Sequence, residues 1–210
     1  MKKGLFITFE GVEGAGKTTQ IELLKNELDR RGIEYIVTRE PGGTAIGEKI
    51  RGVLLDPENS EMNYMTELLL YYASRAQHLY EKINMAKESG KVVICDRYSD
   101  STMAYQGYGR GIDKQLIETL NSVVEKGNRP DLTFIIDADP EVTLVRAKRK
   151  SGNVGDRLEQ ESLEFHKRVR EGFIAAAERE PKRVAVIDGR KSIEEINSDI
   201  IARLFEKLGG

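Results

Sequence analysis

The chain has little from which to build a covalent or metallic framework. Its 210 residues include one cysteine and two histidines, so no internal disulfide can form and no zinc cage of the Cys/His type is visible. Cys95 stands in an apolar run and reads as an inert core residue in a reducing, cytoplasmic compartment. Charge of one sign is also missing: 33 Lys and Arg against 35 Asp and Glu leave a formal net charge of −2, which argues against nucleic acid as the main partner. No apolar run approaches membrane-spanning length. The first residues, Met1-Lys2-Lys3-Gly4, lead into a strand pattern with no room for a signal peptide. No composition shift or low-complexity linker marks a boundary, so residues 1–210 read as one domain. The 39% hydrophobic content is adequate for a sizeable core.

What is present is concentrated in Gly11-Val12-Glu13-Gly14-Ala15-Gly16-Lys17-Thr18, which fills every fixed position of the phosphate-loop pattern G-x-x-x-x-G-K-[ST]. The preceding Leu5-Phe6-Ile7-Thr8-Phe9 is a strand pattern. The following Thr19 to Arg31 carries Ile21, Leu23, Leu24 and Leu28 at helical spacing and stops at Gly32. Strand, glycine loop and helix in that order place backbone N–H groups and a helix N-terminus around a polyphosphate. Lys17 then reaches the β/γ-phosphates, and the Thr18 hydroxyl sits on a magnesium ion.

Four more apolar runs read as strands: Tyr35-Ile36-Val37-Thr38, Val92-Val93-Ile94-Cys95, Leu132 to Ile136, and Val184 to Ile187. Between them lie a helix from Gly43-Thr44 to Leu55 and a long one from about Asn63 to Glu88. Further helices open at Asp139-Pro140, an aspartate cap before proline, and at Ser192-Ile193-Glu194-Glu195, a capping box. Short apolar strands alternating with helices predict an α/β fold, a five-stranded parallel sheet covered on both faces. The middle of the long helix, Leu68 to Ala73, is apolar around its circumference. That predicts either a central core helix or one shared with a second copy of the chain in a homodimer.

In such sheets ligands bind beyond the carboxyl ends of the strands. Those ends carry Glu10, Arg39-Glu40, Asp96-Arg97, Asp137 and Asp188. Asp96 is a candidate to hold the metal with Thr18, its alternative role being a helix cap. Arg97 and Arg39 supply planar forks suited to a phosphate dianion; Arg51 on its own reads as a solvated charge. The stretch Arg146 to Arg157 holds five cations and two glycines. It reads as a basic lid over about 146–157 that closes on phosphates, against the alternative of a solvated helix face. Tyr71, Arg75, Ser101, Tyr105 and Gln106 have the chemistry to stack on a base and read its edge, although periodicity gives them no special status.

Taken together, Glu10 to Thr19, Thr38 to Thr44, Ser74-Arg75-Ala76-Gln77-His78, Asp96-Arg97-Tyr98 through Ala104-Tyr105-Gln106-Gly107, Asp156-Arg157-Leu158-Glu159 and Asp188 to Ser192 resemble thymidylate kinase, in that family's order and over nearly the whole chain. The resemblance implies a nucleoside monophosphate kinase-like P-loop fold. It also implies transfer of the ATP γ-phosphoryl group to dTMP with Mg2+, giving dTDP and ADP for dTTP synthesis, in a soluble homodimer. Carried over by position, Gly11 to Thr19 hold ATP, with Arg149 over the adenine opposite Gly189-Arg190. The dTMP set is Glu13, Arg39, Pro41, Tyr71, Arg75, Arg97, Ser101, Tyr105 and Gln106, with Arg39 and Arg97 on the phosphate, Tyr71 stacked on thymine, and Arg75 and Gln106 at the base edge. The loop has no arginine, as in the bacterial type that supplies the catalytic cation from the lid. The catalytic candidates are therefore Lys17, Glu13 and Arg97 with Arg149, Lys150 and Arg157. The rival readings are a kinase for another nucleoside monophosphate or a deoxynucleoside, and an ATP-dependent switch or binding module.

Overall fold

The computed structural model describes residues 4–151 and 155–209, with the backbone alone at 150 and 151. In chain order the elements are β1 (Phe6–Glu10), α1 (Lys17–Arg30), β2 (Tyr35–Arg39), α2 (Ala45–Leu55), α3 (Tyr64–His78), a π segment (Leu79–Ile83), α4 (Asn84–Glu88), β3 (Val92–Asp96), α5 (Ser99–Thr102), a second π segment (Met103–Gly109), α6 (Lys114–Glu125), β4 (Leu132–Asp137), α7 (Pro140–Ser151), α8 (Leu163–Arg179), β5 (Val184–Asp188) and α9 (Ile193–Leu208). The strands form one parallel sheet in the order β2-β3-β1-β4-β5.

Alternation along the strands builds a core on each face. Val92 and Ile94 of β3 join one apolar cluster with α1 and α9; Val93 and Cys95 join another with Leu79, Ile83 and Ala86. The helix starts follow local chemistry. Thr44 caps α2 by accepting from Gly47 N at 3.0 Å, and Ser192 forms a complete capping box with Glu195. The predicted α/β architecture is the one observed.

Two features depart from the sequence reading. The long helix is not uniform: its hydrogen bonding widens to π geometry at Leu79–Ile83. Nor is its apolar middle covered all round, since Leu69 is 51% exposed and Ala73 is exposed, while Leu68 and Tyr72 are buried. The second π segment was not foreseen. It packs closely on α8, where a side chain at Gly172 would stand 2.8 Å from the backbone of Ala104. Of the predicted lid, Arg146 to Ser151 continue α7 and Gly155 onward is described. Gly152, Asn153 and Val154 lie outside the described residues, as do Met1 to Lys3.

Candidate active site

β1 is central, and the chain leaves it toward α1 through the phosphate loop. Gly16 sits at φ 101° with no described residue near its Cβ position, so glycine is required there by conformation alone. Gly14 instead makes room: a Cβ would stand 2.2 Å from the carbonyl oxygen of Thr143 in α7. Val12 packs in the core, so only its backbone faces the loop. The Lys17 ammonium donates to the carbonyls of Gly11 and Val12 at 3.0 Å each. Burial, with Arg97 adding to it, pulls its pKa down to about 8.

Two clefts open beyond the strand ends. The phosphate cleft is bounded by Glu13, Gly14, Gly16, Lys17, Thr18, Thr19 and Asp96. It continues toward Ala15, Gly189 and Arg190, where Arg190 is tied to Asp188 at 2.8 Å. The second cavity is lined by Pro41, Tyr71, Arg75, Ser101, Tyr105 and Gln106, aromatic and polar side chains of the kind that enclose a small ligand. Glu13, Arg51, Arg97 and Asp156 border both clefts.

Arg97 stands at that partition. It adopts φ 69°, a left-handed conformation that costs a non-glycine residue about 1 kcal/mol or more. Its guanidinium donates to Gly11 O at 2.9 Å, Ser101 Oγ at 3.1 Å and Glu13 Oε1 at 2.5 Å. Glu13 also accepts from the Tyr105 hydroxyl. Burial alone would raise the Glu13 pKa; Arg97 and Lys17 override it and hold the carboxyl down to about 2. Beneath them Glu10 fixes the Arg97 turn, accepting from Tyr98 N at 2.8 Å and Ser101 Oγ at 2.5 Å. Burial and Asp100 push its pKa up to about 7.

Arg75 is almost wholly buried. Its Nε donates to Glu40 Oε2 and its Nη2 to Thr102 Oγ1, both at 2.8 Å, whereas Nη1 has no hydrogen-bond partner among the described residues. Glu40 is held in turn by His78 at 3.0 Å, and His78 meets Thr38 at 2.6 Å. Gln106 donates from Nε2 to Glu67 Oε1 at 2.8 Å. Sequence reasoning missed Glu67 and gave Glu40 and His78 no role of their own, because a buried polar partner leaves no periodic trace.

Four residues lie elsewhere than the sequence reading placed them. Arg39 is exposed on the outer side of the strand, 2.9 Å from Glu48, and does not line the second cavity. Arg51, read as a solvated charge, borders both clefts and donates to Pro41 O at 2.9 Å. Arg157 is no free lid cation: it is buried, ion-paired to Glu67 at 2.6 Å, with Nε on Leu54 O at 3.0 Å. Arg149 is exposed and borders neither cleft, while Arg146, about one turn earlier on α7, reaches the phosphate cleft. The Lys150 side chain lies outside the described residues.

For a divalent cation, the test is whether acidic oxygen and hydroxyl ligands stand free at the loop. Asp96 Oδ1 is buried without a hydrogen-bond partner among the described residues, and Asp96 shares the phosphate cleft with Thr18. One carboxylate and one hydroxyl beside substrate phosphates suit magnesium, which keeps most of its waters. The residues fit.

Fold and clefts together define a P-loop phosphotransferase of the nucleoside monophosphate kinase type, with two clefts divided by charged side chains. A family model described as thymidylate kinase matches residues 9–200. A thymidylate kinase of Pelobacter propionicus is 51% identical over 207 residues, covering 97% of this chain and 94% of that protein. One of Halothermothrix orenii is 52% identical over 199 residues, covering 94% and 95%. The crystal structure of thymidylate kinase from Ehrlichia chaffeensis aligns with a TM-score of 0.78 at 38% identity, over 96% of this chain and 98% of that one. The chain belongs to the thymidylate kinase family.

Proposed function

We propose that the chain transfers the γ-phosphoryl group of ATP to dTMP, giving dTDP and ADP, as a cytoplasmic homodimer serving dTTP synthesis. The observation that carries the reading is the partition: Glu13 and Arg97 border a phosphate-loop cleft on one side and an aromatic, polar cavity on the other. Phosphoryl transfer needs mainly positioning and charge neutralisation, and both clefts are equipped for it. Gly11 to Thr19 cradle the ATP polyphosphate, with Lys17 on its β/γ side. Arg97 leaves Glu13 to hold the dTMP phosphate in line, and Arg51 joins it from α2. Tyr71 stacks on thymine, and Arg75 and Gln106 meet its edge. Thr18 and Asp96 would hold magnesium, which supplies charge neutralisation between the phosphates when bound. Arg146, and Arg149 once the lid closes, cover the nucleotide.

The test is turnover with ATP and a panel of acceptors. We expect dTMP to be strongly preferred over dGMP, dCMP and thymidine; turnover no higher than that of Lys17→Ala would refute the assignment. Arg97→Ala separates a kinase from a nucleotide-dependent switch. It should lower kcat/KM for dTMP by about a hundredfold or more while ATP binding stays nearly intact.

A further inference from the structure

We propose that Glu67 is a specificity-positioning residue: it decides which end of the Gln106 amide faces the acceptor cavity. The inference rests on the reading of Gln106 at the acceptor's base edge. A glutamine amide is nearly symmetric in shape and presents either an acceptor or a donor, according to how it is turned. Here the choice is made from behind. Gln106 Nε2 lies 2.8 Å from Glu67 Oε1, and an ionised carboxylate only accepts, so the NH2 end must point to Glu67. The carbonyl end is left for the cavity, and nothing among the described residues donates to it.

Glu67 is fully buried and closely held. Arg110 donates to it through Nε at 3.2 Å and Nη2 at 3.1 Å, and Arg157 pairs with it at 2.6 Å. Burial would raise its pKa, but Arg110, Gln106 and Arg157 outweigh that and lower it, so the acceptor-only form persists at neutral pH.

Arg75 completes the pattern. With Nε and one N–H of Nη2 committed to Glu40 and Thr102, Nη1 is the guanidinium nitrogen left without a partner among the described residues. The wall therefore offers an acceptor from Gln106 and a donor from Arg75. A lactam edge, N–H beside C=O, as in thymine or uracil, meets both. An amidine edge, N beside NH2, as in cytosine, opposes both. Because uracil shows the same lactam edge, this device ignores the 5-methyl group.

The experiment measures kcat/KM for dTMP, dUMP and dCMP with Gln106→Leu, Glu67→Gln and the double variant. In Glu67→Gln the two guanidiniums keep the carbonyl oxygen, and the new NH2 turns the Gln106 amide over. We expect each single substitution to lower the dTMP-to-dCMP ratio roughly tenfold to a hundredfold. The double variant should lower it no further, and the dUMP-to-dTMP ratio should hold throughout. If Glu67→Gln keeps the wild-type ratio, adds to Gln106→Leu, or shifts dUMP against dTMP equally, the inference fails while the reading of Gln106 stands. If Gln106→Leu alone leaves the ratio unchanged, that reading fails and takes the inference with it. Side-chain amide NMR of the wild-type complex reads the same orientation should Glu67→Gln not fold. The Gln106 NH2 protons should stay remote from bound dTMP, and a direct contact between them and the pyrimidine imino proton overturns the proposal.

Discussion

Lys17 shows how much a single side chain's surroundings decide. Burial and Arg97 hold its pKa down at about 8 before any nucleotide arrives. A polyphosphate placed against it favours the ammonium form and raises that value. Binding near pH 8 should therefore take up protons, and ATP affinity should fall as pH rises above about 8. Calorimetry in buffers of different ionisation enthalpy checks the sign; no proton uptake at pH 8, or release, would contradict it. At this scale the fixed loop positions were legible in the sequence because their chemistry depends on spacing alone. Arg39 was not, since its direction is set by strand parity. Thr38 and Glu40 turn inward to the buried His78 and Arg75 network, so Arg39 between them turns out toward Glu48. Arg51 became visible only once α2 was placed beside both clefts.

Among the elements, the lid differs most from its sequence reading. The charge run counts cations but cannot say which of them are already engaged. Arg157 anchors the segment: its backbone N–H donates to Leu55 O at 3.2 Å and its Nε to Leu54 O at 3.0 Å, capping the last carbonyls of α2. Arg157→Ala removes the side-chain half of that cap, on Leu54 O, and leaves Glu67 with less compensating charge. We expect a stability loss of about 3 kcal/mol and a several-fold rise in KM for both nucleotides, with kcat reduced less. Thermal melting and steady-state kinetics check this. A collapse of kcat with unchanged KM would instead place Arg157 on the transferred phosphate. The π segment Met103–Gly109, which carries Tyr105 and Gln106, left no sequence signal because its widened turn depends on packing against α8.

For the molecule as a whole, the five strands were legible because each is a short apolar run closed by a polar residue, and a doubly covered parallel sheet follows from that pattern. The sequence could not say which side of α3 the chain covers for itself. Leu69 and Ala73 share one exposed face of α3, and Tyr71 and Arg75, near the opposite side, line the acceptor cavity. If the outer face is the homodimer seam, Leu69→Asp should convert a dimer into a monomer in sedimentation experiments; a wild-type monomer would remove the argument. The placement of α3 then has a consequence for behaviour in dilute solution. One helix would carry the subunit seam on its back and the pyrimidine wall on its front, so losing the partner at low protein concentration would loosen the wall as well. Specific activity toward dTMP would become a function of the enzyme's own concentration, falling on dilution and restored by mass action.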